Sequence, residues 1–572
     1  MKHFIKIFYL ILLLTAVQFI GQISFSKEAK IKYSKKDISN YFSGIVSSRQ
    51  KNDDAAYEYF DRVKSLKNIH SNYNNQFIYT LISLGKFNKA FEFSRDVWIE
   101  DEFFFETDLL LGLNSFINKD YVNAEKYFKR MNIFSQNSFK FEDLIGNVLI
   151  VWSKASQNNY KESFQFLNTI SPRYNNLKKI QNAFLQCYFE TPKVEQSFRS
   201  LTENKEIDFS RYNFFLANYL LHKNKVKEAK KVIIDGRTKY DSNLLIKQSE
   251  IFFQNEKSEK IKNFFNCKNP KDSLAEFFYI MANFNSTEKD YELSNFFLKI
   301  SFFLNDKFTP NKTLLAENLF FQKKFKETIK IYELIKSIGS DYSWHASKNI
   351  ALVLSYNEDK EGAVSIFKEE FDLLKNPNFE KYYELANFYK DNEYFEESIK
   401  YYSLSLDKIE KNHHLIPKIL DRRGTSYERL GDWKKAEKDL QKSLEISPNQ
   451  AHVLNYLAYS WIEGNKNLDM ALEMLEEASS LREGDGYIID SLGWAHYAKK
   501  NFFEAEQFLQ KAVEILPLDP IINDHYADSL WMVNKNIQAR YVWQYVLGLD
   551  GVDQKLKDKI NQKLIFGINN NL

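Results

Sequence analysis

Residues that interrupt regular secondary structure are scarce in this chain of 572 residues, which has only 9 prolines and 17 glycines. This scarcity argues against an all-β architecture and suits helices joined by short connections. Aromatic residues make up 16% of the chain and can supply much buried area. The length exceeds what a single core usually holds, so either several domains or a repeat array is expected.

Cysteine is nearly absent, and the two that occur, Cys187 and Cys267, are not part of a C-x-x-C spacing. Metal knuckles and dithiol redox motifs are therefore unsupported. Two interpretations remain open, a disulfide between them or two buried structural thiols. We favour the thiols, because unpaired cysteine is commonly buried.

An excess of charge and the usual catalytic motifs are also missing. Lys and Arg number 79 against 76 Asp and Glu, which does not indicate a nucleic-acid surface. No G-x-x-x-x-G-K-[ST], G-x-G-x-x-G, H-E-x-x-H or G-x-S-x-G occurs, so we predict no enzyme activity, cofactor or metal site. The one arrangement that resembles a metal or proton-transfer site is His496 and His525 near Asp490 or Asp524, although a packed core histidine explains His496 more simply.

The first residues have the pattern of an export signal. Lys2 and Lys6 precede an apolar stretch from Ile7 to Ile20, and Ser24 and Ser26 flank a plausible cleavage point after Ser26. The stretch is short for a membrane span, which needs about 20 residues. We expect an exported, periplasmic protein, either soluble or tethered by an uncleaved N-terminal helix.

Small residues recur with a period of about 34 in the C-terminal third. Four of them are separated by 34, 35 and 34 residues, and an alanine follows each one 12 or 13 positions later. Small side chains at such positions let two helices approach closely, and a proline 24 residues after two of them ends the second helix. These structural repeat positions are Gly424, Ala436, Pro448, Ala458, Ala471, Gly493, Ala505, Pro517, Ala527 and Ala539.

These residues resemble the tetratricopeptide repeat (TPR), a helix-turn-helix unit of 34 residues. The resemblance implies an all-α fold, a right-handed α-solenoid of stacked TPR hairpins. Extending the register gives fifteen candidate units, anchored at residues 44, 78, 112, 151, 183, 217, 249, 282, 316, 351, 386, 424, 458, 493 and 527. The segment from Val552 to Ile565, with Leu556, Ile560 and Leu564 on one face, is predicted to cap the last unit.

The predicted organisation has six parts. Residues 1–26 form the signal peptide or anchor, 27–140 the N-terminal repeats, and 141–210 degenerate repeats or a junction. Residues 211–378 form central repeats, 379–550 the well-formed repeats, and 551–572 the capping helix with a frayed tail.

Stacked hairpins leave a concave surface lined by their first helices. TPR proteins that bind the C-terminal carboxylate of a partner use Lys, Arg and Asn on this surface. This chain instead has Asp421, Asp490 and Asp524 there, which favour binding of a basic or amide-rich segment. We expect Asp490 and Asp524 to be exposed because buried charge is costly, whereas the Trp and Tyr residues suit either binding or packing. The predicted partner-binding residues are Tyr459, Tyr487, Asp490, Trp494, Tyr497, Asp524, Asp528 and Trp531.

The resemblance therefore predicts a non-enzymatic scaffold or adaptor of the bacterial cell envelope, with protein or peptide partners, no nucleic acid and no cofactor. Two alternatives remain open. One is a carbohydrate-binding solenoid, and the other is the substrate-delivering part of an envelope enzyme, which would need residues 140–210 to form a separate, non-helical domain.

Overall fold

The computed structural model describes residues 34–68, 70–99, 104–135, 143–203, 209–239 and 243–568. The predicted signal peptide and the frayed tail lie outside these residues. Within them the chain forms α-helices and two short 3₁₀ helices, Lys64–Asn68 and Pro172–Tyr174, and no strand. None of the helices in these ranges is long and apolar enough to cross a membrane. The chain divides into an N-terminal unit, Met1–Ala346, and a C-terminal unit, Ser347–Leu572.

The helices follow one another as antiparallel pairs. The first nine pairs are α1 (Lys35–Arg49) and α2 (Asp53–Asp61), α3 (Ser71–Ser83) and α4 (Phe87–Ile99), α5 (Phe105–Ile117) and α6 (Tyr121–Ser135), α7 (Leu144–Ser156) and α8 (Tyr160–Thr169), α9 (Asn175–Tyr188) and α10 (Val194–Thr202), α11 (Tyr212–His222) and α12 (Val226–Lys239), α13 (Leu244–Gln254) and α14 (Glu259–Lys262), α15 (Pro270–Thr287) and α16 (Tyr291–Leu304), and α17 (Pro310–Phe321) and α18 (Phe325–Lys336).

Six further pairs and a single last helix complete the chain. They are α19 (Ser340–Tyr356) and α20 (Lys360–Asp372), α21 (Phe379–Asp391) and α22 (Phe395–Lys408), α23 (Ile416–Arg429) and α24 (Trp433–Ile446), α25 (Ala451–Glu463) and α26 (Leu468–Leu481), α27 (Gly486–Ala498) and α28 (Phe502–Ile515), α29 (Pro520–Met532) and α30 (Asn536–Val546), and α31 (Gln554–Phe566).

The predicted fold class is confirmed, since each unit is an α-solenoid of stacked hairpins. All fifteen anchors lie in the first helix of a pair, including the weak anchors Val151 in α7 and Ala183 in α9. Residues 143–203 are thus helical hairpins. The division between the two units falls after Ala346. The segment predicted to cap the last unit is helix α31, which buries Ile560 against the last pair.

The small residues act as predicted at helix contacts. A Cβ on Gly44 would lie 2.6 Å from the Phe60 ring, and one on Gly493 would lie 2.7 Å from Leu509 Cγ and 3.2 Å from its backbone nitrogen. Ala458 and Ala527, at the equivalent positions of neighbouring pairs, are fully buried. A larger side chain at these points must push the two helices of a pair apart.

Replacing Gly493 with valine should therefore lower the free energy of unfolding of the C-terminal unit by about 1–3 kcal/mol. The matched control is Gly548→Val, because a Cβ there meets only the Tyr545 carbonyl oxygen at 3.5 Å. Urea unfolding followed by circular dichroism measures both. Equal stability of the two variants would contradict the close-contact role of Gly493.

The turn within each of the fifteen pairs has a residue with positive φ just after the first helix, and the turn between α25 and α26 has a second one, Asn467, just before the next helix. The fifteen residues are Lys51, Gly85, Lys119, Asn158, Glu190, Asn224, Glu256, Lys289, Lys323, Glu358, Glu393, Gly431, Asn465, Lys500 and Asn534. A left-handed residue after a helix lets the following backbone N–H groups bond to its last carbonyls, which ends the helix and reverses the chain. Only two of them are glycine, which explains how the chain turns so often with so few glycines.

The N-terminal unit closes on itself, which the sequence did not indicate. Helix α3 contacts α16, and α7 contacts α15. Phe87 stacks on Phe303 with ring centroids 4.0 Å apart, and the Lys51 ammonium donates to the Gln322 carbonyl oxygen at 2.6 Å. An open concave surface, as predicted for the whole array, is therefore not a feature of this unit.

Cys187 and Cys267 form a disulfide whose Cα atoms are 5.9 Å apart, so the preference for two free thiols is wrong. Helix α14 has only four residues, which makes the seventh pair short. The segment after it reaches back to α9, where Phe265 packs against Phe184 with ring centroids 5.4 Å apart. This packing brings the two cysteines together although 80 residues separate them.

Candidate binding surface

The predicted partner-binding residues lie on three successive first helices of the C-terminal unit. Helix α25 carries Tyr459. Helix α27 carries Tyr487, Asp490, Trp494 and Tyr497, and helix α29 carries Asp524, Asp528 and Trp531. Tyr487 is 59% exposed, whereas Tyr459 is half-buried. The structure thus brings the set together on one side of the stack, but its members differ in what they contact.

The expected exposure of the aspartates is wrong. Asp490, Asp524 and Asp528 are all buried, at 5%, 2% and 5% exposure. Asp490 accepts hydrogen bonds from His525 Nδ1, which lies 3.0 and 3.1 Å from its two oxygens. Burial of these carboxylates is possible because a later helix supplies a hydrogen-bonding partner, His525 on α29 for Asp490 and Lys563 on α31 for the other two, which a single repeat does not reveal.

Lys563, on the capping helix, bonds to both of the other two aspartates. Its ammonium lies 2.7 Å from Asp524 Oδ1 and 2.6 Å from Asp528 Oδ1, and the Trp543 indole donates to Asp528 at 3.0 Å. Burial and the nearby Asp524 carboxylate raise the pKa of Asp528 to about 6, against the opposing effect of Lys563. The acids on α29 therefore hold the cap in place and are not open to a ligand.

The aromatic residues of α27 form a stack with the same histidine. The Trp494 ring lies 4.0 Å from the His525 ring and 4.5 Å from the Tyr497 ring, and both pairs are nearly parallel. Burial lowers the pKa of His525, but Asp490 outweighs this effect and the net shift is upward. Much of the Trp494 ring face is thus occupied by the protein itself. Trp531 is likewise packed, against Trp543 with centroids 5.5 Å apart.

A ladder of polar contacts joins successive first helices. The Asp421 carboxylate accepts from His452 Nε2 at 3.0 Å, and the Glu428 carboxylate accepts from the Tyr456 hydroxyl at 2.7 Å. Trp494 Nε1 donates to Glu463 at 2.8 Å. The two partners of each contact are about one repeat apart in sequence. An acidic residue followed 28–35 residues later by His, Lys, Tyr or Trp is therefore the sequence pattern that could have predicted these contacts.

An open cavity of about 840 Å³ lies beside this ladder on helices α21, α23, α25 and α27. Its exposed residues include Lys418, His452 and Tyr487, and the Arg422 guanidinium in its wall donates to Asn387 Oδ1 at 2.8 Å. Tyr487 was predicted as a partner-binding residue, and Asp421, which also lines the cavity, was placed on the concave surface. The full lining is Lys390, Asp391, Lys418, Asp421, Arg422, Thr425, Gln450, His452, Asn455, Tyr456, Arg482, Asp485, Tyr487 and Ile488.

The N-terminal unit has a smaller cavity of about 330 Å³ where it closes on itself. Its polar side chains largely bind one another. Asp53 accepts from Ser83 at 2.5 Å, and the Lys324 ammonium lies 3.5 Å from the same oxygen. Asn295 donates to the Gln322 side chain at 3.0 Å. The arrangement fastens the closure and leaves few groups available for a ligand.

The histidines have separate environments. The His496 ring stacks on Phe508 with centroids 5.3 Å apart, and burial lowers its pKa. His525 instead belongs to the pair with Asp490. In the part of the chain that the structure describes, no three His, Cys, Asp or Glu side chains are grouped so that they could hold a metal ion.

Comparison with known proteins identifies the repeats. Two tetratricopeptide repeat family models match, over residues 417–450 and residues 487–516. A TPR repeat-containing protein of Pseudomonas aeruginosa is 30% identical over 99 residues, which span 17% of this chain and 17% of that protein.

Solved structures also align. A TPR protein from Parabacteroides merdae is 20% identical, with 39% of this chain and 86% of that one covered and a TM-score of 0.33. The Cut9–Hcn1 hetero-tetramer of the APC/C is 13% identical, with 87% and 97% covered and a TM-score of 0.33. Both family matches fall where the close-contact residues are most regular, and they identify residues 417–450 and 487–516, which form the hairpins α23–α24 and α27–α28, as tetratricopeptide repeats.

Proposed function

We propose that this protein is a non-enzymatic scaffold or adaptor of the bacterial cell envelope, which binds peptide segments or partner proteins on the first helices of its C-terminal unit. TPR repeats support a role in protein–protein interaction. The observation that carries the proposal is the open cavity of about 840 Å³ across four successive first helices. Such a continuous surface suits an extended partner segment.

Tyr487 is the residue that we expect to contribute most to binding of the partner segment. It is 59% exposed beside the cavity, whereas Trp494 is stacked within the protein and Asp490, Asp524 and Asp528 are paired. A tyrosine can supply both apolar area and a hydrogen bond, a combination common at binding hot spots. The partner segment would lie across Tyr487, His452 and Lys418. The carbohydrate alternative is less favoured, because the ring face that would stack on sugar is occupied in Trp494.

Export is part of the proposal. The Cys187–Cys267 disulfide supports an oxidising compartment, since such bonds are rare in reducing cytosol. The basic and apolar residues from Lys2 to Ile20 support it independently. A fractionation experiment with antibody against the chain tests this point, because recovery in the cytoplasm would contradict it.

Site-specific photo-crosslinking tests the binding surface. A photoreactive phenylalanine analogue at position 487 should give covalent adducts with partner proteins in envelope extract, and Tyr487→Ala should reduce partner recovery about tenfold. The control position is Leu373, which is 76% exposed and outside the cavity. The same adducts at both positions, or unchanged recovery with Tyr487→Ala, would place the binding surface elsewhere.

A further inference from the structure

Helix α30 has a second apolar face that is open to solvent. Ile537, Tyr541 and Tyr545 are 72%, 74% and 48% exposed. Because they are spaced by four residues, they form one ridge along the helix. The opposite face packs Ala539 and Trp543 into the core at 0% exposure. The helix is therefore apolar on both sides, which a solvated surface helix is not.

Two further exposed residues extend this ridge into a patch. The Tyr545 hydroxyl donates to the Pro517 carbonyl oxygen at 3.4 Å, which places it beside Leu518, itself 70% exposed. At the other end, the Lys535 ammonium and the Glu506 carboxylate lie 3.0 Å apart and hold the starts of α28 and α30 together. Phe503, near the start of α28, is 72% exposed. We name these residues the α30 patch: Phe503, Leu518, Ile537, Tyr541 and Tyr545.

The patch also has little charge. Helix α30 has no Asp or Glu, and Arg540 is its one charged residue. The Arg540 guanidinium donates to the Leu564 carbonyl oxygen at 2.9 Å and lies 5.1 Å from the Trp531 ring, so it is engaged with the cap. By contrast, α24, another second helix of this unit, reads WKKAEKDLQKSLEI and carries seven charged residues. An uncharged aromatic ridge is typical of an interaction surface.

We propose that the α30 patch is the interface of a homodimer, with the same helix of a second copy of this chain as its occupant. The ridge is symmetric about Tyr541, so a two-fold axis there places Tyr541 against Tyr541 and Ile537 of one copy against Tyr545 of the other. Two ridges with a spacing of four residues interlock in the commonest helix-packing geometry. The absence of carboxylates avoids like-charge repulsion across the axis.

The area agrees with a second copy as occupant. An aromatic side chain buries about 150–250 Å² when it is fully covered. Because the five patch residues are 48–74% exposed, the patch offers about 600 Å² per copy and about 1,200 Å² in a pair. That value reaches the lower end of the range for specific protein interfaces. The dimer is consequently weak, and its population rises with protein concentration.

Sedimentation velocity of the full chain at increasing concentration tests the dimer. The wild type should shift from one chain mass towards two, and Tyr541→Glu should remain at one, because two facing carboxylates cannot be buried unpaired. Leu373→Glu, which alters an equally exposed apolar residue outside the patch, should behave as wild type. Thermal unfolding of the variants should be unchanged. A wild type that stays monomeric, or a Tyr541→Glu variant that still dimerises, would overturn the proposal.

A cysteine introduced at the proposed axis gives a second measurement. Both native cysteines are in the disulfide, so Tyr541→Cys carries one free thiol. Two such thiols at a two-fold axis should form a covalent dimer under mild oxidation, and Leu373→Cys should form much less. Equal yields from the two variants would place the axis elsewhere and exclude the α30 patch as the interface.

Discussion

Replacing Lys563 with methionine is expected to lower the free energy of unfolding of the C-terminal unit by about 3–5 kcal/mol, because it leaves two buried carboxylates without their cation. Lys563 is nearly buried and contacts Asp524 and Asp528 at 2.7 and 2.6 Å. Urea unfolding and hydrogen exchange of α29–α31 would measure the loss. The control is Lys559→Met, since the Lys559 side chain is 58% exposed and 3.7 Å from Asp524. If Lys563→Met lowered the free energy of unfolding no more than Lys559→Met does, this role of Lys563 would be contradicted.

The stability that the Lys563→Met variant loses should depend on pH. The pKa of Asp528 is raised to about 6 from 3.8, so the folded protein binds this proton more tightly than the unfolded chain. The corresponding stabilisation is complete below the unfolded pKa and is lost as the pH rises through about 6. Without Lys563 the carboxylate is protonated more readily still. The deficit of Lys563→Met should therefore be larger at about pH 8 than at about pH 5.

Breaking the Cys187–Cys267 bridge should lower the stability of the N-terminal unit by up to about 4 kcal/mol, because the bond joins residues 80 apart and restricts the unfolded chain. The Cys187→Ser, Cys267→Ser double variant and the reduced wild type should behave alike. Hydrogen exchange should become faster in α9–α14. The C-terminal unit, which contains no cysteine, serves as the internal control. Free thiols in the wild type without reductant, or identical exchange in both proteins, would contradict the bridge.

The repeat architecture could be predicted because its determinants are local and periodic. A small residue at each contact between paired helices is required wherever two helices approach closely, so Gly424, Ala458, Gly493 and Ala527 mark successive pairs even without a structure. The capping helix was predictable for the same reason, since Leu556, Ile560 and Leu564 lie on one face. The fifteen left-handed turn residues were not, because most are Lys, Glu or Asn and differ little in type from their neighbours.

The environment of the candidate site could be predicted only in part. That Tyr487 is exposed agrees with its assigned position, but Asp490 and Asp524 were expected in water and are buried. Their burial depends on His525 on α29 and Lys563 on α31, which are 35 and 39 residues away. When one repeat is considered alone, the partner of a charged side chain is missing. The cost of burying an unpaired charge then predicts that the side chain is exposed.

The amino-acid sequence by itself determined the helical hairpins, their register and the cap, since these follow from the period of small and apolar residues. The tertiary structure alone decided which surfaces remain open. It closed the N-terminal unit through contacts such as Phe87 with Phe303 and joined Cys187 to Cys267. It also paired the acids of α27 and α29 with side chains of α29 and α31. The physical reason is that hairpin formation depends on residues close together in the sequence, whereas closure and the pairing of the acids depend on residues from different hairpins that meet only when the hairpins stack.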